Sequence, residues 1–125
     1  MQSDEIGVKF TDLQDSGSRE EFSTGSVRDN GEGKGWFHLI PMLPLERLAQ
    51  HYENGARKYE KDNWKKGQPL SRYYDSAMRH LLKWKEGWTD EDHLSAAMWN
   101  IAALVWTENE IREGRLPEEL NDISV

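Results

Sequence analysis

Cysteine is absent from all 125 residues, so neither a disulfide framework nor a thiolate metal site is available. No apolar run approaches the roughly 18 residues needed to cross a bilayer, and no charged-then-apolar leader opens the chain. The expectation is a soluble, cytoplasmic protein without membrane contact. Basic residues are in deficit: 16 Lys and Arg stand against 23 Asp and Glu, for a formal charge of −7. That balance excludes a broad nucleic-acid surface, which needs a basic face, but permits a local cluster of cations to meet phosphate. Strand-like alternation and internal repeats are missing too. So are the P-loop, the GxGxxG fingerprint, the GxSxG elbow and the HExxH zinc motif. None of the four histidines (His38, His51, His80, His93) is followed by Asp, which argues against an HD-type phosphohydrolase.

What is present reads as helix. Residues 1–34, rich in Ser, Gly, Asp and Glu and without a sustained period, form an extended, poorly structured N-terminal arm. The helical domain takes residues 35–125, a length that suits one small core which oligomerisation could enlarge. Its first helix is "PLERLAQHYEN", with Pro44 in the first turn and Gly55 as the stop. Leu45, Leu48, Ala49, Tyr52 and Ala56 fall on one stripe, and Glu46, Gln50 and Glu53 on the other side. The second helix runs from an N-cap at Ser71 to a stop at Gly87, with Tyr74, Ala77, Met78 and Leu81 as its apolar stripe. Asp75 and Arg79, four apart on it, share a face and can pair. The third begins after Thr89 and ends at Gly114, with Leu94, Ala97, Met98, Ile101 and Val105 repeating the pattern. A "PEEL" turn follows. Three such helices joined by short loops indicate an all-α bundle, and one with so few helices is expected to complete itself as a homo-oligomer.

Candidate chemistry gathers in three places. In "TDEDHLSAAMWN", Asp90 and Glu91 are explained by helix initiation, since acids in a first turn complement the helix dipole. Asp92 fits either a capping box opened by Thr89 or a ligand set. His93 lies one turn from Ala96 and two turns from Asn100, on a polar stripe with space beside it. Hard cations such as Mg²⁺ prefer carboxylate oxygen, and Mn²⁺ also accepts imidazole. Glu46, Glu53, Asp75, Asp92 and His93 could supply such a site if the polar sides of the helices converge. The loop "GARKYEKDNWKKG" sets Lys58, Lys66 and neighbouring cations around Asn63 and Trp64, suiting either phosphate and base recognition or a solvated loop. Mid-helix Arg79-His80 fits a phosphate contact or an internal pair of Arg79 with Asp75.

Taken in order, "STGSVRDNGEGKGWFHLIP", "LERLAQHYENGARKYEKDNWKKGQPLSRYYDSAMRHL" and "DEDHLSAAMWN" resemble the phage-associated dATP/dGTP diphosphohydrolase N-terminal family. That family is a MazG-like branch of the all-α nucleotide pyrophosphohydrolases. The likeness runs from about Ser23 to Trp106 and rests on the blocks in combination. It implies a MazG-like helical bundle that cleaves a nucleoside triphosphate, by preference a purine deoxynucleotide, to monophosphate and pyrophosphate with Mg²⁺ or Mn²⁺. The place of action would be phage nucleotide metabolism in the host cytoplasm. On this reading Asp92, His93 and Asp75 are catalytic, and Glu53, Asp75, Asp92 and His93 are metal ligands. Lys58, Asn63, Trp64, Lys66, Arg79, His80 and Asn100 bind the nucleotide. The chain departs from the MazG pattern of ExxE on one helix and ExxD on the next. One turn beyond Asp75 stand Met78 and Arg79, and beyond Asp92-His93 stand Ser95 and Ala96. That departure leaves two further readings: a non-catalytic nucleotide-binding module, or an acidic phage protein that binds a host factor.

Overall fold

A computed structural model describes Asp15 and residues 17–125. The part of the expected arm that falls on residues 1–14 and on Ser16 lies outside the described residues. The chain divides into two units, one ending at Ile40 and one spanning Pro41–Val125. In the first, β1 (Arg19–Glu21) pairs antiparallel with β2 (Val27–Asp29), Arg19 opposite Asp29. Arg19 Nη1 also donates to Asp29 at 3.0 Å across the ladder. Strands of three residues are too short to write a two-residue alternation into the sequence, so this hairpin lies within what the sequence reads as an extended arm. A single 3₁₀ turn, Phe37–Leu39, follows.

The second unit is all-α. It comprises α1 (Met42–Lys58), α2 (Leu70–Lys85) and α3 (His93–Arg112), with 3₁₀ turns at Asn63–Lys66 and Glu118–Leu120. α1 is longer than expected: it passes through Gly55 and ends when the Tyr59 N–H bonds the Gly55 carbonyl. Pro44 sits in its first turn, where a missing N–H costs nothing. α2 starts at Leu70, with Pro69 at the capping position, and Ser71 lies inside it. The acid that completes this N-terminus comes from the far end of the chain. Asp122 accepts from Ser71 N at 2.9 Å and from Ser71 Oγ at 2.5 Å, placing a carboxylate where the helix dipole favours one. α3 begins one turn later than Thr89, because Asp92 is its N-cap and accepts from Ser95 N at 3.0 Å.

The faces that turn inward overlap the apolar stripes read off the sequence only in part: Ala77 and Ala97 are buried, and Leu94 and Met98 half-buried. α3 packs chiefly on α2 and less on α1. The core where they meet is Leu70, Tyr73 and Ala103, with Trp99, Leu104 and Ile111 packed against it. On α2 the buried side is Leu70, Tyr73 and Ala77, whereas Tyr74, Met78 and Leu81 are exposed. On α3 the buried side is His93, Ala96, Ala97, Asn100, Ala103 and Thr107, whereas Ile101 and Val105 are 49% and 65% exposed. Leu45 of α1 is exposed as well. Small side chains account for the choice on α3: Ala96, Ala97 and Ala103 let it approach its neighbours closely, and polar groups among them are bonded across helices. Ser95 Oγ donates to the Arg47 carbonyl at 2.7 Å, and Asn100 Nδ2 donates to Ser76 Oγ at 3.1 Å.

Candidate functional site

The polar sides of the three helices converge on one cleft of about 940 Å³, wholly within the second unit. α1 brings His51, Tyr52 and Glu53 to it, and the following loop brings Lys58 to Trp64. α2 contributes Arg72, Ser76, Arg79 and His80, which at spacings of four, three and one occupy a single helical face. The approach to α3 contributes Glu91 and Asp92, and α3 itself Ala96, Trp99 and Asn100. One wall is aromatic. Trp64 meets Trp106 edge-on at 4.9 Å and Tyr52 at 5.8 Å, and Tyr52 in turn lies 6.1 Å from Trp99. His51 lies 5.8 Å from Trp99, and burial pushes its imidazole toward the neutral form.

The charges of the cleft are unevenly committed. Glu53 pairs with Arg57 at 2.6 Å, Glu60 with Lys66, and Asp62 with Lys65 at 3.6 Å. Asp92 is held by both arms of Arg47, Nε at 2.9 Å and Nη2 at 2.5 Å. These bonds, with the Ser95 amide, keep its carboxyl below the ordinary aspartate range against the opposing effect of burial. Lys58, Lys61, Arg72 and Arg79 also line the cleft and make no ion pair with the described residues. Among the lining acids, Glu91 is the one that makes none. The cleft thus offers four cations and one acid, Glu91, that are not spent on an ion pair among the described residues.

Behind this wall runs a hydrogen-bonded chain of three side chains. His93, 2% exposed, bonds through Nε2 to Asp90 Oδ1 at 2.7 Å and through Nδ1 to His80 Nδ1 at 2.8 Å. The Asp90 carboxyl lies below its ordinary range, chiefly because of the His93 bond. His80 is pushed toward the neutral imidazole, chiefly by burial and against the pull of Glu91. One donor atom each from His80, Glu91 and His93 lie within 4.8 Å of one another, so these three could hold a metal ion.

Of the residues singled out in the sequence, the cleft brings together Glu53, Lys58, Asn63, Trp64, Arg79, His80, Asp92 and Asn100. Three stand apart. Asp75 is exposed, is not among the lining residues and makes no ion pair with Arg79; Lys66 turns to Glu60; His93 is buried behind His80. Glu46, weighed as a further metal donor, is exposed and not among the lining residues. Sequence reasoning passes over Arg72 and Ser76, although their spacing with Arg79 and His80 is visible. It also assigns Asp90 and Glu91 to helix initiation, and no local signal could reveal that one meets His93 and the other the cleft.

The model of the dATP/dGTP diphosphohydrolase, N-terminal, family matches residues 24–115, about three-quarters of the chain. The chain belongs to that family. The match covers all three helices of the second unit and every residue that lines the cleft. No curated protein and no solved structure matches the chain. No helix among the described residues is long and apolar enough to cross a membrane.

Proposed function

We propose that the chain binds a purine deoxynucleoside triphosphate in this cleft and hydrolyses it to monophosphate and pyrophosphate, with Mg²⁺ or Mn²⁺ as cofactor. The observation that carries the reading is the set of four lining cations that make no ion pair with the described residues, beside an aromatic wall, in a chain of the dATP/dGTP diphosphohydrolase N-terminal family. Lys58, Lys61, Arg72 and Arg79 meet the triphosphate, Arg through its planar fork and Lys as a point charge. Trp64, Tyr52 and Trp99 flank the base, and Asn63 stands beside Trp64. Asn100 donates both to Ser76 and to the Ala96 carbonyl, which leaves its Oδ1 to accept from the nucleotide.

A divalent cation bound in the cleft would neutralise phosphate charge and polarise the attacking water, and His80, Glu91 and His93 are residues whose donor atoms could hold one. Water oxygen bonds to the α-phosphorus while the bond from that phosphorus to the α–β bridging oxygen breaks. Pyrophosphate leaves with the bridging oxygen, and the water's proton passes to a cleft carboxylate. Asp92 acts from behind by fixing Arg47 and the start of α3. The exposed apolar faces of α2 and α3 support a homo-oligomer. Metal-dependent pyrophosphate release from a panel of ribo- and deoxynucleoside triphosphates tests the reading. Saturable binding with no turnover on any nucleotide would leave a binding module; neither binding nor turnover would favour a protein that acts on a macromolecular partner.

A further inference from the structure

We infer that His80, Glu91 and His93 form a site for one borderline divalent cation of the Mn²⁺ or Co²⁺ kind, oriented from behind by Asp90 and open toward the cleft. The argument starts at His93. With Nε2–H donated to the Asp90 carboxylate, the neutral ring is the tautomer whose Nδ1 carries a lone pair. That lone pair points at His80 Nδ1, 2.8 Å away. With His93 in that tautomer, the proton between the two nitrogens is donated by His80 Nδ1. Two nitrogens bound to one metal at about 2.1 Å each stand about 3.0–3.4 Å apart, so a small parting of the rings exchanges the proton for an ion. The His80 proton then moves to Nε2, the ring's other nitrogen, leaving Nδ1 free to ligate. Glu91 supplies the anionic donor within 4.8 Å.

Two features set the metal class and its exposure. Two imidazoles and one carboxylate suit Mn²⁺, Fe²⁺, Co²⁺ or Zn²⁺, whereas Mg²⁺ asks for oxygen donors. A carboxylate behind a ligating histidine fixes ring orientation and raises its basicity, which is where Asp90 stands. His80 and Glu91 both line the cleft while His93 is buried. The ion is therefore walled on the His93 side, and its remaining positions face the cleft. This is the arrangement of a metal that meets a ligand, not of a closed structural site. A part for this ion in hydrolysis rests on the function proposed above; its binding does not.

The test is cation binding by the chelator-stripped full chain without nucleotide, by Co²⁺ absorption and Mn²⁺ calorimetry. One ion per chain is expected, with Mg²⁺ in large excess failing to displace it. Glu91→Gln and His80→Gln should each weaken binding by at least about 10-fold, and Asp90→Asn by about 10–100-fold, with helical circular dichroism retained. Absence of binding to the wild-type chain, or affinity unchanged in both Glu91→Gln and His80→Gln, would overturn the site. Pyrophosphate release assayed in parallel separates the two proposals. Binding without turnover keeps the site and removes the enzymatic reading; turnover without cation binding at these residues does the reverse.

Discussion

Asp92 shows how one side chain can hold two jobs. It caps α3 through the Ser95 amide and clamps Arg47 from α1. Replacing it with Ala should cost about 1–2 kcal/mol, mostly the lost cap, since a partly exposed ion pair adds little. Thermal or urea unfolding measures this. Asp92 and Asp122 both have carboxyls lowered by their native partners, Arg47 and Ser71 respectively. Groups lowered in the folded state stabilise it above their unfolded value of about 3.9, and that contribution is lost as pH falls through the folded values. Melting temperature should therefore drop below about pH 4, and less steeply in the Asp92→Ala, Asp122→Ala double variant. Gly67 is constrained differently. Its φ is +82°, and a Cβ there would lie 2.9 Å from Leu116 Cδ1 and 3.0 Å from Leu120 Cδ1. Gly67→Ala should destabilise by about 1–3 kcal/mol, read by the same unfolding curves.

At the scale of the element, each helix carries faces with different duties. On α2, Leu70, Tyr73 and Ala77 face the core, and Arg72, Ser76, Arg79 and His80 face the cleft. Because Lys58 and Arg79 make no ion pair with the described residues, their removal should spare the fold and fall on ligand binding. Lys58→Ala and Arg79→Ala should each raise KM for a nucleoside triphosphate by about 10–100-fold, the value of a charge-assisted hydrogen bond. Their unfolding midpoints should stay near wild type. Steady-state pyrophosphate release and denaturation on the same preparations check this, and a large loss of stability with KM unchanged would contradict it. Asn100 belongs to the opposite kind. It joins α3 to α2 through Ser76, so Asn100→Ala should lower stability as well as nucleotide affinity.

For the whole molecule, the balance of large apolar side chains is unusual. The buried residues of α3 are small or polar, while Met78, Ile101 and Val105 face outward. Contiguous exposed apolar patches mark association surfaces. Light scattering should give a mass above that of one chain, and Met78→Glu with Val105→Glu should reduce it while helicity is kept. A wild-type monomer would contradict this. The existence of three helices and the Gly87 and Gly114 stops were legible because periodicity and punctuation are local properties of a chain. So was the family, since its blocks recur in a fixed order. Periodicity names a stripe but not what the stripe faces. The apolar stripes of α2 and α3 turn inward only in part, at Ala77 and Ala97, while Tyr74, Met78, Leu81, Ile101 and Val105 are exposed, because the choice of inner face depends on which neighbours are close enough for alanines to matter. Likewise Asp122 on Ser71, Arg47 on Asp92 and His80 on His93 join residues 51, 45 and 13 positions apart. No local pattern encodes such partners. The sequence by itself determined helices, family and the chemistry on offer; tertiary packing alone decided which charges were spent on one another and which were left facing the cleft.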